Sequence, residues 1–358
     1  MDLTLTEDQE VIASAAREFL TPRRGGENAD LWPELVKLGW PGLAVPEEYG
    51  GLGTGFLELC LLVEELGRAG VPSPLLTSSA CCALPIARYG TEQQKAEWLG
   101  GIAEGRVLSY VRAAPRGHWG AEGSEVTATP DGDGFTLDGT ALFVPYAADA
   151  EALLVLAEGP DGPVAVLCDA AVGVEPLETV SPDPLYRVEF SRVAVPAGRV
   201  LGSGGSGSSG AEVATAISRY GAAATCAAMV GGAQQVLDAT VEYARTREQF
   251  GKPIGSFQAV QHHCADMAID VLGARFMAYE AIWRLGTGDD AVTEVAAAKA
   301  WVSEAYQRVC ALGHQVHGAI GFTAEHDLHH FFRHSVAAAL AFGDSDHHTD
   351  QLARTLGL

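Results

Sequence analysis

The sequence predicts an α+β multi-domain chain: an N-terminal helical domain, a middle antiparallel β-domain and a C-terminal helical bundle. Three observations carry this expectation. Apolar residues recur at helical spacing through residues 1–107. Between 108 and 210 the pattern changes to short alternating runs broken by Asp-Gly and Gly-Pro. From 211 to 358 long, Ala-rich helical stretches return. With 358 residues, 47% of them hydrophobic, the chain can build a large core spread over two or three domains.

Thr6 precedes the first helical run and Gln9 follows three residues on, the pattern of a capping box. Val11, Ile12, Ala15 and Phe19 then fall at helical spacing. "FLELCLLVEELGRAG" reads as a second amphipathic helix ending at glycine, and "TEQQKAEWLGGIAEG" as a third capped by Thr91. In the middle segment, "EVTATPDGDGFTLDGTALFV" reads as two strands joined by an Asp-Gly turn. "EALLVLAEGPDGPVAVLCD" repeats that pattern, and "YRVEFSRVAVPAGRVL" alternates again. "GSGGSGSSG" (202–210) is a linker or loop by composition; no Walker spacing follows, so it is not a phosphate loop. The stretch from Ala211 to Arg247 is one long helical run, with Gly231–Gly232 inside it permitting close packing. "VTEVAAAKAWVSEAYQRVCALGHQV" is another long helix, and "SVAAALAF" leads into the tail.

The formal net charge is −23. Such a field repels nucleic acid, and no basic stripe offsets it. A phosphate-bearing ligand must then be held by a few local cations, and Arg247 and Lys252 stand out. No apolar run reaches the roughly eighteen residues of a membrane span. The opening residues carry acids and no basic stretch, unlike a signal peptide. Seven scattered cysteines without a C-x-x-C favour reduced thiols and a cytoplasmic setting.

The stretch "YARTREQFGKPIGSFQAVQHHCADM" (243–267) begins and ends like one helix, yet Gly251, Pro253 and Gly255 interrupt it. Proline removes a backbone donor and glycine adds unfolded-state entropy, so the break costs helix stability. An ordinary helix-turn-helix connection is one explanation. A ligand-binding turn is the other.

Four stretches, "VPEEYGGLG" (45–53), "GDGFTLDGT" (132–140), "TREQFGKPIGSFQAVQHHCADM" (246–267) and "QVHGAIGFTAEHDLHHFFRH" (315–334), carry a resemblance to the acyl-CoA dehydrogenase family. It covers essentially the whole length. It implies a helical domain, a β-domain and a four-helix bundle, assembled as dimers or tetramers around FAD. In the family one subunit's β-domain supports the flavin ring, while the partner's bundle holds the ADP half. That role carries over onto Arg247, Phe250 and Gln258 at an R-x-x-F-G turn, and onto Gln315 and Gly318 of a Q-x-x-G-G segment. A guanidinium is a planar donor fork for a diphosphate, and glycine lets backbone approach a ligand. Ala319 departs from the second glycine of that segment.

The flavin-ring half departs further. Ala113 and Ala114 stand where the family has Thr and Glu of a T-E-P stretch. Phe143 and Pro145 stand for the Trp and Thr of W-I-T-N, and proline cannot donate a backbone hydrogen bond. Two readings stand: drift with FAD still bound, or a β-domain that no longer holds the ring. Family chemistry removes a proton α to a thioester while a hydride leaves the β carbon for flavin N5, which needs a tuned carboxylate. Most members carry a Glu in a Y-E-G-T segment; aligned on the glycine, Phe342 replaces it. Others carry it before an Arg of the first bundle helix; here Ser218 precedes Arg219. The catalytic base is therefore unknown, with Asp344 the nearest acidic substitute. Arg219 matches a family position near the thioester pocket, against an ion pair on the surface. His326, His330 and His334 would share a face of a continuous helix, but no metal role is expected. The small residues of 76–90 suggest an acyl end with room, or close packing.

These losses and retentions point to the subunit type that completes a cofactor pocket in a hetero-oligomer with a related acyl-CoA dehydrogenase. The substrate expected is an acyl-CoA or an acyl-carrier thioester. A homo-oligomeric tailoring oxidase or dehydratase, with Asp344 as its base, is the alternative. A structural, FAD-free protein is a third, which leaves Arg247 and Gln315 unexplained.

Overall fold

The computed structural model describes residues 4–24, 31–112, 125–169, 173–202 and 210–358. The N-terminal segment holds α1 (Glu7–Leu20), α2 (Trp32–Lys37), α3 (Phe56–Ala69), α4 (Leu84–Tyr89) and α5 (Glu92–Ala103). Both capping boxes form. The Thr6 hydroxyl accepts from Gln9 N at 3.3 Å while the Gln9 side chain accepts from Thr6 N at 3.0 Å. Thr91 and Gln94 repeat the arrangement at α5. A wide π-helical stretch, Leu76–Ala83, leads into α4. Its small residues serve packing rather than room: Ser78 bonds the backbone of Leu108, Ser79 bonds Pro41 O, and Cys81 and Cys82 are fully buried.

The middle segment supplies β1 (Leu108–Val111), β2 (Val126–Asp131), β3 (Gly134–Pro145), β4 (Ala152–Gly159), β5 (Gly162–Asp169), β6 (Gly173–Leu177) and β7 (Leu185–Val195). They form one seven-stranded sheet. The β2–β3 and β4–β5 hairpins turn where expected, and β3–β7 and β6–β7 are also antiparallel. Two contacts depart from an antiparallel domain. β1 runs parallel to β4, with Leu108 opposite Ala152, and β2 meets β4 in a parallel bridge at Thr127–Glu158. β1 arrives from the helical segment and reaches β4 only after a long connection, so no tight turn dictates its direction.

The remainder is α6 (Gly210–Thr246), β8 (Glu248–Gln249), β9 (Lys252–Pro253), α7 (Gln258–Gly286), α8 (Val292–His317), α9 (Leu328–Leu340) and α10 (Ser345–Thr355). Of the expected linker, residues 203–209 lie outside the described residues. The C-terminal stretch is two helices rather than a tail. α9 begins after His326, so His326 does not share a continuous helical face with His330 and His334. α3 crosses α6 backbone to backbone. A Cβ on Gly231 would fall 1.9 Å from Glu64 O, and one on Gly67 would fall 2.1 Å from Ala228 O. The buried Glu64 carboxylate then accepts from Arg275 at 2.5 Å and from the Tyr279 hydroxyl at 2.7 Å, tying α3 to α7. One hydrophobic core runs through the N-terminal helices and the bundle; a second lies largely within the sheet domain.

Candidate functional site

The break in the 243–267 stretch is a two-residue hairpin between α6 and α7. Gln249 pairs with Lys252 across β8 and β9, and Phe250 and Gly251 form the turn with φ of 54° and 79°. Two left-handed residues in a row are what a two-residue hairpin of matching twist requires. Glycine accepts this freely, but a bulky aromatic does not. Phe250 is nonetheless held there with 92% of its surface exposed. Strain of this kind gathers at functional sites. Phe257 meets it edge-on at 6.0 Å, and the Lys252 ammonium sits 4.4 Å from the Phe257 ring centre. Among the described residues the exposed Arg247 side chain has neither hydrogen bond nor ion pair, and its backbone closes the turn by accepting from Ile254 N at 2.8 Å. Gln258, the first residue of α7, is also exposed and unpaired among the described residues.

The second expected segment comes to the same end of the bundle. His317, at the end of α8, stacks on Tyr243 of α6 with ring centres 4.4 Å apart. Tyr243 O in turn accepts from Arg247 N at 2.8 Å. This stack links the hairpin to Gln315 and Gly318, and sequence reasoning missed it because the two rings lie far apart along the chain. The His317 Nδ1–H donates to Gly313 O at 2.8 Å, and burial holds its pKa below the ordinary value. Gln315 is exposed, without a side-chain partner among the described residues. Gly318 has φ 65°, and nothing lies within 4 Å of a Cβ placed on it. A free guanidinium, unpaired amides, an exposed ring and an open glycine together fit the diphosphate and adenosine half of a dinucleotide.

The other half of the expected site is differently equipped. Ala113 and Ala114 lie outside the described residues. Phe143 is 51% exposed at φ 57°. The Pro145 carbonyl accepts from the Ser109 hydroxyl, and Tyr146 donates to Asp183. Burial raises the Asp183 pKa, opposed by its bond from Tyr146. Phe342 is buried at φ 58°. Ser218 donates to Ala214 O within its own helix at 2.6 Å. Asp344 caps α10 by accepting from His347 N at 2.8 Å. No expected position thus presents a free carboxylate. Arg219 pairs with Asp290 at 2.6 Å, and that aspartate side chain is 75% exposed.

A further group went unread in the sequence. Lys299 of α8 is fully buried, and its ammonium donates to Ser303 Oγ, Ala339 O and Gly343 O. Burial pulls its pKa down to about 8. It braces the link between α9 and α10 on which Phe342 sits.

Residues 6–106 match the family model for the acyl-CoA dehydrogenase N-terminal domain, and residues 208–357 that for the C-terminal domain. The chain is 33% identical over 337 residues to acyl-CoA dehydrogenase FadE27 of Mycobacterium tuberculosis, covering 91% of this chain and 86% of that one. Its structure is similar to butyryl-CoA dehydrogenase from Megasphaera elsdenii, with a TM-score of 0.93 at 27% identity over 100% of both chains. It is also similar to a chain of the ChsE4-ChsE5 complex from Mycobacterium tuberculosis, with a TM-score of 0.91 at 30% identity over 100% of this chain and 99% of that one.

Proposed function

The chain belongs to the acyl-CoA dehydrogenase family of flavoenzymes, and on that premise we propose that it is the subunit that completes the FAD site of a related, base-bearing subunit. One observation carries this reading. The ADP-half residues stand exposed and unpaired, while the segment aligned with the family's base holds a buried phenyl ring. FAD, when bound, supplies the acceptor for the hydride that leaves the acyl thioester. Arg247 binds its diphosphate, Phe250 packs on an apolar part of it, Gln258 and Gln315 donate to it, and Gly318 lets the backbone approach. Arg219, the residue expected at a thioester's polar end, is engaged instead by Asp290. The substrate is an acyl group on CoA or on a carrier protein. No described helix is long and apolar enough to cross a membrane, and the cysteines are free. Both fit a cytoplasmic assembly.

The test is Arg247→Ala in the flavin-loaded assembly. Charge-assisted bonds to a phosphate contribute about 1.5–3 kcal/mol each, so flavin retention should fall about tenfold or more. Unchanged flavin content would refute the assignment.

A further inference from the structure

Phe342 sits where three differently built segments meet. Its ring lies against α6 at Gly221: a Cβ placed there would fall 2.2 Å from Phe342 Cε1 and 2.3 Å from Cζ. Tyr110 of β1 forms a second wall, its ring centre 5.5 Å away and tilted by 31°. The backbone at Phe342 is left-handed, a conformation that costs a bulky residue energy and persists only where the surroundings over-determine it. Those surroundings are identifiable. The His348 Nε2–H donates to Phe342 O at 3.0 Å, Lys299 donates to Gly343 O at 2.9 Å, and Asp344 caps the helix that follows. The ring is therefore held in place from both sides of residue 342 and received by the bare backbone of a glycine on another helix.

We infer that Phe342 is a plug closing this chain's own thioester site, so that the assembly takes its acyl group at the partner's site alone. The inference rests on the reading above, in which segment 341–344 stands where relatives carry the base. A thioester entering between α6 and β1 meets the phenyl ring instead of a carboxylate. With no side chain at Gly221 and an aromatic wall at Tyr110, the ring fills the space rather than swinging over it. Phe342 then determines specificity by exclusion.

The test is calorimetric titration of butyryl-CoA into the full-length chain, as wild type, Phe342→Gly and Phe342→Leu. Glycine accepts the left-handed backbone without strain, so the loop keeps its course while the ring is removed. Leucine keeps an apolar side chain and carries the test if the glycine variant loses its near-ultraviolet dichroism. The opened variant should bind at least about tenfold more tightly than wild type. Wild-type binding equal to that of the variants, or a folded variant that gains nothing, would overturn the plug. Flavin content is read in parallel on the flavin-loaded assembly with the related subunit, with and without Arg247→Ala. If flavin still depends on Arg247, a failed titration sinks the plug alone. If it does not, the underlying reading has failed, whatever the titration gives.

Discussion

Replacing Lys299 by methionine sets two opposed effects against each other, and pH separates them. The ammonium is fully buried, and its pKa falls from 10.5 to about 8 because burial penalises the charge, against the pull of Cys226 and Asp344. A shift of about 2.5 units corresponds to about 3 kcal/mol of unfavourable charging at neutral pH. Methionine removes that cost. It also leaves Ala339 O and Gly343 O without their buried donor, at about 1–3 kcal/mol each. At pH 7 the variant should therefore lie between about 1 kcal/mol more stable and about 3 kcal/mol less stable. Between about pH 8 and 10.4 the unfolded chain holds a proton on Lys299 that the folded chain has released. Stability from this group therefore rises with pH across that window, and in methionine the rise is absent. The variant's deficit should widen by about 2–3 kcal/mol between pH 7.5 and 10. Urea unfolding followed by tryptophan fluorescence at the two pH values measures it. Buried thiols and tyrosines lower stability in both proteins alike, and a Cys226→Ala background removes the nearest thiol. A deficit that stays constant across this range would refute the reasoning.

The missing base makes a separate prediction. The isolated chain should not dehydrogenate butyryl-CoA in a dye-reduction assay, because Ser218 is bonded within its helix and Phe342 is apolar; fast turnover would contradict this. Asp344→Asn should leave the assembly's activity unchanged and cost no more than about 1 kcal/mol in a thermal melt, the value of a weakened helix cap. Lost activity at full stability would instead promote Asp344 to the base.

Much of the frame was legible because it depends on local chemistry. Thr6 and Thr91 cap their helices with residues three positions away, so the signal lies inside one short window. The β2–β3 turn and the glycine end of α3 are similar cases. Strand direction was not legible, since nothing within Leu108–Val111 states which strand it will join or in which direction. At the site, Arg247, Phe250 and Gln258 could be singled out by pattern, and the structure sets Arg247 and Phe250 at one hairpin with Gln258 opening the helix that follows. The strain at Phe250 could not, because nothing in R-E-Q-F-G states that a phenylalanine takes a left-handed backbone. Lys299 sits in "AAAKAW" and reads as a solvated helix lysine; its acceptors Ala339 and Gly343 lie 40 and 44 residues on. The replacement of a family Glu by Phe342 was visible, but its reception by Gly221 belongs to tertiary packing. The shared face of His326, His330 and His334 was conditional on a continuous helix, and the start of α9 at Leu328 removes His326 from it.

The central claim is that this chain lends half a cofactor pocket to a different subunit. The direct measurement is flavin stoichiometry by native mass spectrometry, after coexpression with a related subunit carrying T-E-P and W-I-T-N-like segments and a Glu before the Arg of its first bundle helix. The account predicts a yellow hetero-oligomer with one FAD per unlike pair, and a colourless protein when this chain is purified alone. One FAD on every subunit, or a stable yellow homodimer without a mate, would contradict it and favour a homo-oligomeric enzyme of altered chemistry.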